Sequence, residues 1–315
     1  MIIFMSMRRA VRTITTLTAA LAVALSGTAG GGAGTARADA ARPQLLFYNH
    51  SYAVLDRATA DAVEHSTYLR AFSDFEVRTT TGGGLTWKGR YLKGRETYIE
   101  FFSEGDLPGQ DALFGSSGLA LSVENQGELA TVTDRLKAQG ISDPAEYDQT
   151  RDFGDGVPVP WFDTIRTTGQ QYDAFDPWAM EYRPEYFADP RSQTEPASHE
   201  GDVGRERYLP DGYRDHQMRD ITAIELAVPE RDLTNTVPLL KAGGFTLRKL
   251  PDGVVAVSGG TRIELHGVPR ERAGMRRVEM SLNQPMTTRH TERIGNSTLV
   301  AGPGAHAVWT FDSPR

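Results

Sequence analysis

A strand, a helix and three further strands recur along this chain, and that recurrence restricts it to sheets built from like units with helices on the outside. Residues 44–55 carry the aromatic and apolar residues of a strand. Residues 57–71 place Ala58, Ala60, Val63, Tyr68, Leu69 and Phe72 on roughly one side of a helix. Residues 73–102 read as three strands separated by turns at Gly82-Gly83-Gly84 and Lys93-Gly94. The order returns at 117–182, with the strand GLALSVE, the helix GELATVTDRLKAQG closed by Gly140, and extended stretches that end in WAMEY. It returns again at 221–267, where ITAIELAVP leads into a helix with Asp232 as its expected cap and Pro238 inside it. The last segment has strands but no helix. The fold class expected is therefore α+β: tandem βαβββ modules forming curved mixed sheets with outer helices. One complete module pair covers 44–182, a connector rich in Pro, Asp, Glu, Ser and Arg covers 183–218, and a more degenerate pair covers 221–313.

The N-terminus bears on where the chain works. Arg8, Arg9 and Arg12 precede the apolar run ITTLTAALAVALSGTA, and Ala36-Arg37-Ala38 supplies a small-x-small cleavage pattern, so residues 1–38 read as a secretory signal peptide. No later stretch approaches the roughly 20 apolar residues of a membrane span. The chain holds no cysteine, which removes disulfides and a lipid-anchor thiol from consideration. The expected product is secreted and extracellular, with no membrane anchor. Its formal charge of −7 becomes more negative when the four arginines of the signal leave, which disfavours nucleic acid as a partner.

Chemistry is suggested by three ionisable residues inside apolar-aromatic strands: His50 in YNHSYAV, Glu100 in TYIEFF and Glu181 in WAMEYRP. Two modules side by side make a curved eight-stranded sheet whose concave face is a cleft. His50 lies on the first strand of module one and Glu100 on its last, and Glu181 takes the corresponding last-strand place in module two. The equivalent first-strand place in module two, near Leu119 or Ala120, has no ligand side chain. The expectation is a divalent metal ion (Zn, Mn, Ni or Fe) held by His50, Glu100 and Glu181 with an open coordination position.

This arrangement resembles the vicinal oxygen chelate superfamily of glyoxalase I, extradiol dioxygenases, fosfomycin-resistance proteins and methylmalonyl-CoA epimerase, and within it a group of bacterial glyoxalase-like proteins. The resemblance rests on the repeated module and on NHSYAVLD followed by TYIEFF. It implies that a first-strand His and last-strand Glu residues bind the metal, which carries over to His50, Glu100 and Glu181. The chain departs from the pattern at the first strand of module two, which usually contributes His or Gln.

Around the trio, Tyr48, Arg78, Tyr98, Arg151 and Trp161 are the candidates for contacting substrate, and alternation puts Tyr48, His50 and Tyr52 on one face. Tyr52, or Glu181 released from the metal, is the candidate for proton transfer. The second half has Ala223 where the first has His50, whereas Glu264 mirrors Glu100. It reads as a structural duplicate that covers the cleft or pairs two copies as a homodimer. The function expected is a secreted metal-dependent isomerase, epimerase or β-eliminating lyase acting on a small oxygen-rich molecule such as a sugar acid or hydroxy-carbonyl compound. The alternatives are a non-catalytic small-molecule or metal-binding protein and an iron-dependent dioxygenase.

Overall fold

The structure is a computed structural model that describes residues 43–313. The expected signal segment lies outside the described residues. The chain is a mixed α+β protein with two eight-stranded sheets, of which the first closes into a barrel.

The first half runs β1 (Phe47–Leu55), α1 (Arg57–His65), α2 (Thr67–Phe72), β2 (Asp74–Gly82), β3 (Leu85–Lys93), β4 (Tyr98–Ser103), β5 (Ser117–Ser122), α3 (Glu128–Ala138), β6 (Ala145–Asp152), β7 (Val159–Arg166) and β8 (Phe175–Tyr182). The single helix expected over 57–71 is two helices. Ser66 ends α1 and caps α2, its Oγ accepting the Leu69 N–H at 3.1 Å. Around the barrel the strands follow the order β1-β4-β3-β2-β6-β7-β8-β5, with β1 parallel to β4 and antiparallel to β5.

The curved sheet expected from two modules closes on itself, β2 meeting β6 through the pairs Thr81↔Asp152 and Gly82↔Arg151. Gly82 makes this approach possible, because a Cβ there would lie 2.7 Å from the Thr150 carbonyl oxygen. A run of three glycines that reads as a turn in sequence therefore also closes the wall.

The connector folds over one end of the barrel as α4 (Pro184–Ala188), α5 (Arg205–Tyr208) and short turns. Its anchor is Arg205, which is buried. That side chain donates to Glu124 (2.5 Å), to the Tyr48 carbonyl (2.6 Å) and to Glu96 (3.2 Å). A guanidinium removed from water needs this many acceptors, and the barrel's strand ends supply them.

The second half comprises β9 (Met218–Pro229), α6 (Glu230–Ala242), β10 (Thr246–Lys249), β11 (Gly253–Ser258), β12 (Thr261–Val268), β13 (Gly274–Met286), β14 (His290–Ile294), β15 (Ser297–Ala301) and β16 (Gly304–Phe311), in the order β10-β11-β12-β9-β13-β16-β15-β14. One face packs on the outside of the barrel, where the outward ring of Phe101 meets Trp309 and Phe311 at 5.2 and 5.5 Å between centroids. A single hydrophobic cluster runs through both sheets, so the change of sheet at residue 218 is not a break in the core. Asp232 does not cap its own helix as expected. It sits inside α6, and its carboxylate accepts the backbone N–H groups of Asp173 (3.0 Å), Ala174 (2.9 Å) and Phe175 (3.0 Å), stitching α6 to the start of β8.

Candidate functional site

The barrel interior holds a cavity of about 330 Å³ that opens to solvent. Strand alternation decides its lining, since every second residue points inward: His50 and Tyr52 on β1, Tyr98, Glu100 and Phe102 on β4, Asp176 and Trp178 on β8. Gly118 on β5 stands opposite Tyr52 and leaves room for that ring, because a Cβ there would lie 2.1 Å from Tyr52 Cε1.

His50 is held on three sides. Its ring stacks on Tyr98 with 4.2 Å between centroids, and the edge of Trp178 stands 5.4 Å away. Nδ1 lies 2.8 Å from Asn49 Oδ1, and the Asn49 amide nitrogen donates to Ser122 Oγ and to the Tyr182 hydroxyl. With its amide thus oriented, Asn49 offers Oδ1 as an acceptor, which places the imidazole proton on Nδ1 and leaves Nε2 as the basic nitrogen. Burial pushes the pKa of His50 down to about 3, so the ring is neutral at physiological pH.

Glu100 faces Tyr52 on one side and Tyr91 on the other in strand register. Burial pushes its pKa up to about 7, against the opposing pull of Tyr91, Arg78 and Trp87. Its Oε1 is buried without a hydrogen-bond partner among the described residues. Trp161 Nε1, Trp178 Nε1 and Asp176 Oδ1, all on residues that line the same cavity, are in the same condition. Two indole donors and two carboxylate acceptors are thus presented to one space, and unpaired buried polar groups of this kind call for a partner.

A second polar group occupies another part of the cavity wall. Asp111 accepts hydrogen bonds from the hydroxyls of Tyr52, at 3.0 Å, and Tyr172, and burial raises its pKa to about 6. Beside it Asp176 pairs with Arg166 at 2.6 Å. Asp111 lies in the short 3-10 turn Gly109–Ala112 and Tyr172 in a loop, with no periodicity to mark them.

The expected trio does not assemble. His50 and Glu100 share the cavity, but β8 turns Asp176 and Trp178 inward and Glu181 outward. The Glu181 carboxylate instead accepts the N–H groups of Gly127 (2.7 Å) and Leu129 (3.1 Å) at the start of α3. Among the described residues no group of three His, Asp or Glu side chains is placed to hold a metal ion, so the three-ligand shell does not fit. Of the other expected residues, Tyr52, Arg78, Tyr98 and Trp161 line the cavity. Tyr48 is buried outside it: the pairing of β1 with β5 shifts between Tyr48 and His50, and the bulge breaks their shared facing. Arg151 lines a different cavity under the connector. In the second half, Glu264 lies on a half-exposed polar stripe, paired with Arg262 and His266.

No curated protein matches the chain. Among solved structures, it is similar to a hypothetical protein from Staphylococcus aureus at a TM-score of 0.51 and 10% identity, covering 79% of this chain and 96% of that one, a likeness of fold alone. A xylose isomerase-like TIM barrel/4-hydroxyphenylpyruvate dioxygenase fusion protein aligns at a TM-score of 0.38 and 14% identity over 72% of this chain and 33% of that one. A family model described as a family of unknown function, DUF5829, matches residues 48–311, and the chain belongs to that family.

Proposed function

We propose that the protein binds a small polyhydroxylated molecule inside the barrel and moves a proton on it, as an isomerase, epimerase or eliminating lyase does. The observation that carries this reading is Glu100, a buried carboxylate on the cavity wall beside Tyr91, Arg78 and Trp87, whose pKa burial lifts to about 7. A group poised at the working pH is the most effective general base. Glu100 takes the proton from a carbon next to a carbonyl, and the electron pair moves onto the carbonyl oxygen. The unpaired, buried N–H of Trp161 or Trp178 stabilises that oxyanion. Returning the proton to the same or the neighbouring carbon completes epimerisation or isomerisation. Loss of a β-substituent from the enolate completes elimination. Tyr52, its hydroxyl bonded to Asp111, supplies a second exchangeable proton. Aromatic walls suit the apolar faces of a sugar-like ring, and the paired donors and acceptors suit its hydroxyls.

No step runs through a metal. The strand-helix-strand order of the two barrel halves and of β9 to β12, with β13 to β16 lacking a helix, supports the reading of tandem βαβββ units related to the vicinal oxygen chelate fold. Secretion is part of the same reading and rests on residues 1–38.

The test is proton exchange. Aldoses, ketoses and hexuronic acids incubated with the protein in heavy water are expected to gain carbon-bound deuterium, visible by NMR, or to yield an unsaturated product. Glu100→Gln is expected to slow the exchange at least about 100-fold. Saturable binding of a sugar with no exchange and no product would replace the enzyme with a binding protein.

A further inference from the structure

Under the connector lies a second cavity, of about 280 Å³. It shares a wall with the barrel interior, formed by Arg78, Tyr91, Tyr98 and Tyr208, and its own side is built by Lys93, Arg151, Arg191 and Gln193. The cations differ in how they are neutralised. Arg78 pairs with Glu76 at 3.2 Å, and Lys93 with Asp74 and Glu76 at 3.3 Å each. Arg191 is held by Asp155 at 2.5 Å and Asp189 at 2.6 Å.

Arg151 has no carboxylate partner among the described residues. Its Nη1 donates to the Tyr186 hydroxyl at 2.5 Å, and its guanidinium lies against Phe153 at 4.6 Å and Trp161 at 5.5 Å from the ring centroids. A half-buried guanidinium among aromatic rings, with donors to spare, suits a planar anion taken end-on or bidentately. Gln193, which closes the 3-10 turn Pro190–Ser192, also lines this cavity. Among the described residues it alone, apart from glycines, has a positive φ, 53°, which ends that turn and brings the residue to the cavity wall.

We propose that this second cavity binds a small aromatic or aliphatic monocarboxylate. Its carboxylate pairs with Arg151, and its body lies against Tyr98, Tyr186 and Tyr208. One cation without a carboxylate partner, in a mostly polar lining that also holds Glu76, favours one negative charge over a phosphate dianion, and the tyrosine rings with Leu209 and Pro210 give the ligand's body one apolar side to lie on. The site is distinct from the proton-transfer site and stands or falls without it.

The probe is benzoate, titrated calorimetrically into the full chain, with inorganic phosphate as comparison. One saturable benzoate site is expected. Arg151→Gln weakens it at least about tenfold, Arg151→Lys weakens it less, and Glu100→Gln leaves it within about threefold. In the unmutated protein, benzoate is expected to protect Arg151, but not the exposed Arg293, from phenylglyoxal, a readout independent of whether the variants fold. Four results overturn the proposal: no saturable benzoate binding, unchanged affinity in Arg151→Gln, phosphate binding as tight as benzoate, or loss of binding in Glu100→Gln with Arg151→Gln unaffected.

Discussion

The imidazole of His50 lies on the ring of Tyr98, 4.2 Å between centroids with 16° between planes, at the one pair of positions where β1 and β4 bring them level. The stack keeps water from one face of a ring that burial already holds neutral. Protonating it must therefore disrupt the packing.

The consequence is a pH dependence with a defined sign. The folded pKa of His50, about 3, lies below the ordinary 6.5, so the unfolded chain binds the extra proton between these values. The contribution of His50 is present above pH 6.5 and is lost as pH falls toward 3. Urea unfolding at pH 7 and pH 4 is expected to show the unmutated protein losing about 2–3 kcal/mol more than His50→Gln on acidification.

Glu100 works in the opposite direction. Its folded pKa of about 7 lies above the ordinary 4.5, so its contribution is present below pH 4.5 and lost as pH rises through 7. Glu100→Gln is expected to stabilise the protein at pH 8 by about 2–3 kcal/mol and to change little at pH 4.5. A variant no more stable than its parent at pH 8 would mean that the carboxylate ionises freely and is no poised base.

Glu181 is expected to matter for stability and not for binding. Glu181→Ala leaves two N–H groups at the start of α3 without their acceptor, which costs about 1 kcal/mol, read as a lower melting temperature. Ligand affinity and deuterium exchange are expected to be unchanged. An activity loss that exceeds the stability loss would return Glu181 to the site.

Gly118→Ala tests the packing of the interior. The new methyl group meets Tyr52 and also Trp178, at 2.9 Å, and pushes these rings toward the cavity they line. Overpacking of this kind is expected to cost about 1–3 kcal/mol and to weaken sugar binding in the lumen, measured by calorimetry. Benzoate affinity under the connector is expected to hold.

The inward pair His50 and Glu100 was legible because a two-residue period along a short strand leaves few choices of face. Glu181 was not, because WAMEY is apolar on both faces and alternation alone does not say which face turns in. Trp178 lines the cavity and Tyr182 meets Asn49 of β1, and these two bulky aromatics four residues apart were the available signal. The Tyr48 position was lost to a bulge that no pattern announces. Asp111 belongs to a single 3-10 turn and Tyr172 to a loop, and the places of both depend on contacts between distant elements. Asp232 carried a capping residue's identity, but its partners lie nearly 60 positions away, in β8 and the loop before it.

Where β2 meets β6, the wall is zipped by two residue pairs, whereas each of the other junctions around the barrel has at least four. Fraying two rungs of a ladder costs far less than peeling a whole stave. The rings beside Gly82, Trp87 and Trp161, belong to the interior surface, so a breach there leads straight inside. The β2/β6 seam is thus the weakest stave of the wall, and exchange of the backbone amides at Thr81 and Gly82 is governed by a local opening rather than by loss of the fold.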